Sequence, residues 1–127
     1  MKISLNLVSH LQRQFAWSER TFGPPTKGSA SSVGIIDHIR RELVEIEANP
    51  TDLEEWIDVV ILALDGAWRV GHTSEEIAYA LDMKQRKNEG RKWPAIKDQI
   101  PGRANEHIKE DISPGGGGGE EDDGGND

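Results

Sequence analysis

Two acidic pairs in this 127-residue chain have the spacing of metal-ligand sets. Glu42 and Glu45 stand three apart in "RRELVEIEA", and Glu55 and Asp58 three apart in "LEEWIDVVILAL". On a helix of 3.6 residues per turn, each spacing puts two carboxylates about 60° apart on one face. Only the short connection Asn49-Pro50-Thr51 separates the stretches, so they read as antiparallel neighbours whose acidic edges oppose each other. The second pair enters the apolar run Val59 to Leu64, where four like charges repel and are poorly solvated unless cations neutralise them. Hard divalent ions suit such a site. Mg²⁺ takes carboxylate and water oxygens, needs neither Cys nor His, and leaves positions for phosphate oxygens. The plainer alternative is a pair of solvated helix faces.

A basic set follows. Lys84, Asn88 and Arg91 are spaced i, i+4, i+7 and so form one helical stripe, with Lys87 adjacent. Ammonium, amide and guanidinium groups in line suit a polyphosphate; equally, a basic last turn complements the helix dipole. Acids to hold metals and bases to hold phosphates make sense as one site. Trp93-Pro94 then reads as a hydrophobic stopper fixing Arg91 rather than a wall for a base. His38 lies one turn before Glu42 on the same face, placed to touch substrate or to orient that carboxylate. His10, His72 and His107 read as partly exposed histidines without a catalytic task. Asp65 continues the Asp58 stripe at i+7, either orienting a ligand or basic residue or bridging to another subunit. The loop "FGPPTKGSASS", with Lys27, either covers a nucleotide or is a plain surface loop. It lacks the GxxxxGK[ST] pattern of a P-loop.

The elements that must position these groups are helices. Apolar residues at 5, 7, 8, 11 and 15 predict a first helix over Leu5 to Trp17. Ile35, Ile39, Leu43 and Ile46 give a narrow stripe for a second, Ile35 to Ala48, ended by Asn49-Pro50. Thr51 with Glu54 predicts a capping box opening a third helix, Asp52 to about Val70, with Gly71 as its stop. That helix is apolar on nearly every side from Trp56 to Leu64, as expected of the central member of a bundle. Thr73 with Glu76 predicts a second box and a fourth helix, Ser74 to Asn88. The expected fold is all-α, an antiparallel bundle of four main helices in one domain, 1–112. The glycine-rich, acidic stretch 113–127 reads as a disordered tail.

Composition narrows the function. With no Cys there is no disulfide framework, thiolate metal site or cysteine nucleophile. Five acids of the tail account for most of the net charge of −8; without them, 18 acids face 15 bases. Such a body is not a generic binder of nucleic acid polymers. No signal-peptide pattern and no apolar run of about 20 residues occurs, so a cytoplasmic protein with no membrane partner is expected. One short domain is small for a monomeric enzyme enclosing a cleft, which points to a homo-oligomer.

The acidic pairs resemble the ExxE and ExxD signature of the MazG-like all-α nucleoside triphosphate pyrophosphohydrolases, matched by Glu42-Leu43-Val44-Glu45 and Glu55-Trp56-Ile57-Asp58. Only nine residues separate the pairs, fewer than in much of that family, which leaves open whether Glu54 or Glu55 faces inward. The strings "RTFGPP", "DHIRRELVEIEANPTDLEEWIDVVILALDGAWRVG", "MKQRKNEGRKWP" and "EHIK" are similar to the dATP/dGTP diphosphohydrolase, MazZ-like, phage-type branch. The resemblance implies metal-dependent cleavage of a purine deoxynucleoside triphosphate, dGTP or dATP, between the α- and β-phosphates. It also implies two or three Mg²⁺ or Mn²⁺ ions on Glu42, Glu45, Glu55 and Asp58, and dimers or tetramers. For a phage-encoded chain the implied setting is the host cytoplasm. By the same resemblance Lys84, Asn88 and Arg91 contact the phosphates or metal. The residues themselves suit in-line attack by an activated water, with Glu45 or Glu55 taking its proton and Lys84, Lys87 and Arg91 offsetting charge on the departing pyrophosphate. The competing expectation is a non-catalytic, nucleotide-binding helical regulator.

Overall fold

The computed structural model describes residues 2–26 and 32–109. Four helices and no strand occur among them: α1 (Leu7–Phe22), α2 (Ser32–Ala48), α3 (Leu53–Arg69) and α4 (Ser74–Gly90), followed by a 3-10 turn at Ile96–Asp98. The all-α expectation is met. Lys27, loop residues 28–31 and the 112/113 domain boundary lie outside the described residues.

α1 opens at Asn6, whose side chain accepts from the Ser9 amide at 3.0 Å. It runs five residues past the expected end at Trp17, because no helix breaker occurs before Gly23-Pro24; Gly23 takes φ +94. Its inward face carries Leu11, Gln14, Phe15 and Ser18 at i, i+3, i+4, i+7. α3 corrects the expected start. Asp52, not Thr51, is the N-cap, its carboxylate accepting from the Glu54 amide at 3.0 Å. Aspartate wins at the positive end of a helix because its acceptor is ionised. The Thr73–Glu76 box forms as expected, with Glu76 N donating to Thr73 Oγ1 at 3.1 Å and Thr73 N to Glu76 Oε1 at 3.2 Å. The backbone contact and the Thr73 hydroxyl hold the Glu76 carboxyl below its usual value. Gly71 at φ +116 closes α3, with Gly71 N donating to Trp68 O and His72 N to Ala67 O.

Contacts group the chain into two compact units, Met1–Asp82 and Met83–Asp127. In the first, α3 packs against α2 and α1. Ile35 of α2 lies against Gly66 of α3, while Glu42 meets Glu55, so the two helices are antiparallel. Gln14 reaches the Ile61 carbonyl and Ser18 the Arg69 side chain, so α1 runs parallel to α3. The buried core is Leu11, Phe15 and Ile77, edged by Leu7, Leu64, Ala67, Trp68 and Ala78. Phe15 and Trp68 stack at 5.1 Å.

α3 is less covered than its apolar surface led us to expect. Trp56, Ile57 and Val60 are exposed, because a helix apolar all round needs neighbours on every side and α1 and α2 cover only part of it.

In the second unit, Trp93 closes the last turn of α4 by donating its Nε1 to the Asn88 carbonyl. His107 meets the Trp93 ring edge-on at 5.9 Å, and Ile108 N donates to Lys92 O at 2.6 Å. The arm after Pro94 is thereby folded back on the helix end. No helix among the described residues is long and apolar enough to cross a membrane.

Candidate active site

The antiparallel register of α2 and α3 brings three carboxylates together. One oxygen each from Glu42, Glu45 and Glu55 lies within 4.8 Å of the other two. Glu42 is buried, Glu55 half-buried and Glu45 exposed, so the cluster descends from the helix interface to the surface. Glu54 points to solvent, which settles in favour of Glu55 which of the two faces inward. Asp58 stands outside this group. It is exposed and lines a neighbouring cavity together with Glu42.

Glu42 Oε2 and Glu55 Oε2 are shielded from solvent and find no donor among the described residues. Ionised carboxylates are acceptors only, so the two oxygens need a proton, a cation or a donor from outside the chain to offset their repulsion. The Glu55 carboxyl is accordingly pushed up to about 7, first by a hydrogen bond shared with Glu45, then by desolvation and by the charges of Glu45 and Glu42. An all-oxygen donor set with orphaned inner oxygens fits a hard divalent ion and offers nothing to a soft one. His38 Nε2 faces Glu42 Oε1 at 3.4 Å, the oxygen opposite the orphaned one.

From this cluster a cavity of about 460 Å³ extends between α1, α2 and α3. Trp17, Phe22, Ile35 and Leu62 supply apolar walls, and Asp65, Arg69, Ser18 and Gln14 supply polar ones. Arg69 donates from Nε to Asp65 Oδ2 at 2.9 Å and from Nη2 to Ser18 Oγ at 2.8 Å and Gly23 O at 3.3 Å. Asp65 therefore orients a basic residue of its own helix. Gln14 joins helices likewise, donating to Ile61 O at 2.9 Å and meeting His10 Nε2 at 3.0 Å. The sequence reading passed over Gln14, Ser18 and Arg69. Their signal is that two polar residues fall on the buried face of α1 and that Arg69 follows Asp65 at i+4.

The basic stripe belongs to the second unit. Lys84, Lys87 and Asn88 lie on α4, while Arg91 comes one residue after its end and reaches back, Nη1 to Asn88 Oδ1, at 3.1 Å. Trp93 anchors the same turn, as a stopper rather than a wall.

With this geometry in view, comparison with known proteins decides the family. The profile of the dATP/dGTP pyrophosphohydrolases matches residues 11–114. The chain belongs to the dATP/dGTP pyrophosphohydrolase family. It is also 37% identical over 101 residues to the Eaa protein of Salmonella phage P22. That alignment covers 79% of this chain and 29% of the phage protein, so the chain spans less than a third of that relative's length. No solved structure matches it. The pyrophosphohydrolase match takes in the acidic cluster, every cavity-lining residue and the basic stripe.

Proposed function

We propose that this chain hydrolyses purine deoxynucleoside triphosphates, dGTP or dATP, between the α- and β-phosphates, giving the nucleoside monophosphate and pyrophosphate. The observation that carries the reading is the convergence of Glu42, Glu45 and Glu55 beside an apolar-walled cavity that Glu42 also lines, in a chain of this family. Glu42, Glu45, Glu55 and Asp58 would hold Mg²⁺ or Mn²⁺. Such ions, when bound, supply Lewis-acid polarisation of phosphate oxygens and an activated water. The chain's own carboxylates position the charge. Glu45 or Glu55, whichever is not fully engaged by the ions, is placed to accept the proton of the attacking water. The apolar cavity excludes water from the nucleoside, and Lys84, Lys87, Asn88 and Arg91 contact the phosphates, offsetting charge on the leaving pyrophosphate. His38 steadies Glu42.

The working form is a homo-oligomer, dimer or tetramer. Trp56, Ile57 and Val60 of α3 are 51%, 44% and 50% exposed on the helix that carries Glu55, an apolar stripe that a second copy of the chain would cover.

Incubation with dGTP or dATP and Mn²⁺, with products separated by anion-exchange chromatography, tests the activity. Monophosphate with pyrophosphate is expected. Diphosphate with orthophosphate would place the cut elsewhere, and nucleotide binding without any product would favour the regulator.

A further inference from the structure

We infer that Asp65 reads the base of the substrate, its Oδ1 accepting a hydrogen bond from a purine N–H group. This rests on the triphosphate reading above and adds to it the residue that selects the base. Asp65 is only 7% exposed and lines the cavity, and its Oδ1 is shielded from solvent with no donor anywhere among the described residues. Its other oxygen is taken by Arg69 Nε at 2.9 Å, and Arg69 is pinned in turn by Ser18 Oγ and the Gly23 carbonyl. One carboxylate oxygen is thus fixed by Arg69, while the other is left without a partner among the described residues. A buried acceptor without a partner is costly, and a group entering through the cavity is what can satisfy it.

The position along the fold suits a base. Asp65 follows Asp58 by seven residues on α3, about 10 Å along the axis at 1.5 Å per residue. A nucleotide with its phosphates at the acidic end therefore has its base at the Asp65 end. There Trp17 and Phe22 meet edge-to-face at 5.4 Å, both lining the cavity and both largely exposed, at 46% and 68%. Exposed aromatic walls beside a buried acceptor match a flat ring carrying an N–H at its edge. Adenine offers its 6-amino group there, and guanine its N1–H and 2-amino group. A carboxylate accepts only, so a purine whose edge carries no N–H leaves Oδ1 unsatisfied.

The test uses the full chain with Mn²⁺ and three triphosphates: dATP, dGTP and the unsubstituted purine deoxyriboside triphosphate, which has no N–H on its base. The wild-type chain is expected to favour the better of dATP and dGTP over the unsubstituted purine by about 100-fold in kcat/KM, since sites built around a hydrogen bond reject analogues that lack it. In Asp65→Asn the amide oxygen stays with Arg69 and an NH₂ replaces Oδ1, so that ratio should fall below about 10-fold. Equal use of all three by the wild-type chain, or an unchanged ratio in Asp65→Asn, overturns the assignment while leaving the hydrolase reading intact. If Asp65→Asn loses its helical circular dichroism, the wild-type ratio alone decides. If no triphosphate is cleaved, the hydrolase reading fails separately, and calorimetric binding of the same three compounds decides the role of Asp65: tighter binding of the N–H-bearing purines supports it, and equal binding refutes it.

Discussion

Ile35 occupies the space above Gly66: its Cγ2 stands 3.1 Å from the point where a Cβ on Gly66 would lie. The contact sits at the cavity end of the α2–α3 interface and helps set the spacing on which the carboxylate cluster depends. Gly66→Ala gains about 1 kcal/mol of helix propensity. Ile35 is β-branched and stiff in a helix, so overpacking costs about 1–3 kcal/mol and outweighs that gain. Urea melts should show Gly66→Ala less stable than wild type, and the same change in an Ile35→Ala background stabilising. An equal effect in both backgrounds would show that the contact is not limiting.

The raised carboxyl of Glu55 makes stability depend on pH in a defined direction. Its folded-state value of about 7 lies above the ordinary 4.5, so from pH 4.5 to 7 the folded chain binds more protons than the unfolded one. The contribution of this carboxyl is complete below 4.5 and is lost as pH rises through 7. In chelator, wild type should therefore be less stable at pH 8 than at pH 5 by more than Glu55→Gln is, and Mn²⁺ should restore wild type at pH 8. A Glu55→Gln chain with the same pH slope as wild type would refute the shared-proton arrangement.

Removing a metal-facing oxygen should separate binding from folding. Glu42→Gln is expected to lose manganese binding, read by electron paramagnetic resonance, and to lose turnover, while keeping its helical circular dichroism. Lys84→Ala should keep manganese binding and chiefly raise KM or lower kcat. Full activity in both variants would remove the site from consideration.

Arg69 ties α3 to the end of α1 through Asp65, Ser18 and Gly23. Both members of the Arg69–Asp65 pair keep only 10% of their side-chain surface exposed. Arg69→Met strands the Asp65 carboxylate and should cost about 3–5 kcal/mol. Ser18→Ala removes one hydrogen bond and should cost about 1–3 kcal/mol. Chemical denaturation giving under 0.5 kcal/mol for Arg69→Met, well below the expected order of magnitude, would mean that the clamp is dispensable.

The exposed stripe of α3 predicts an interface. Trp56→Asp or Ile57→Asp should shift the sedimentation coefficient to that of a monomer, and a wild-type chain already monomeric at micromolar concentration would contradict the oligomer. Trp56 also donates its Nε1 to the Pro50 carbonyl, so Ile57→Asp is the cleaner variant.

How much was legible beforehand differs by the range of the interaction. Helix identities, the Gly71 stop, the Thr73–Glu76 box and the two acidic pairs follow from local rules, because capping and i, i+3 spacing act within a turn or two. Competition among local signals was harder to read. Thr51 and Asp52 both qualify as caps, and only the extended backbone of Asp52, with its carboxylate on the Glu54 amide, shows which is used.

The sequence by itself determined an all-α chain with carboxylates on facing helices and a basic, amide-bearing turn, since each is written in spacings a helix converts directly into faces. Only the tertiary structure decided that Glu55 rather than Glu54 joins Glu42 and Glu45, that Asp58 stands apart from them, and that Asp65 is held at one oxygen and left without a partner at the other. Those outcomes depend on the rotation of α3 about its axis and on the seating of α1 against it. Packing of Ile35 on Gly66 and the reach of Arg69 to Ser18 set both, across separations that no local pattern encodes.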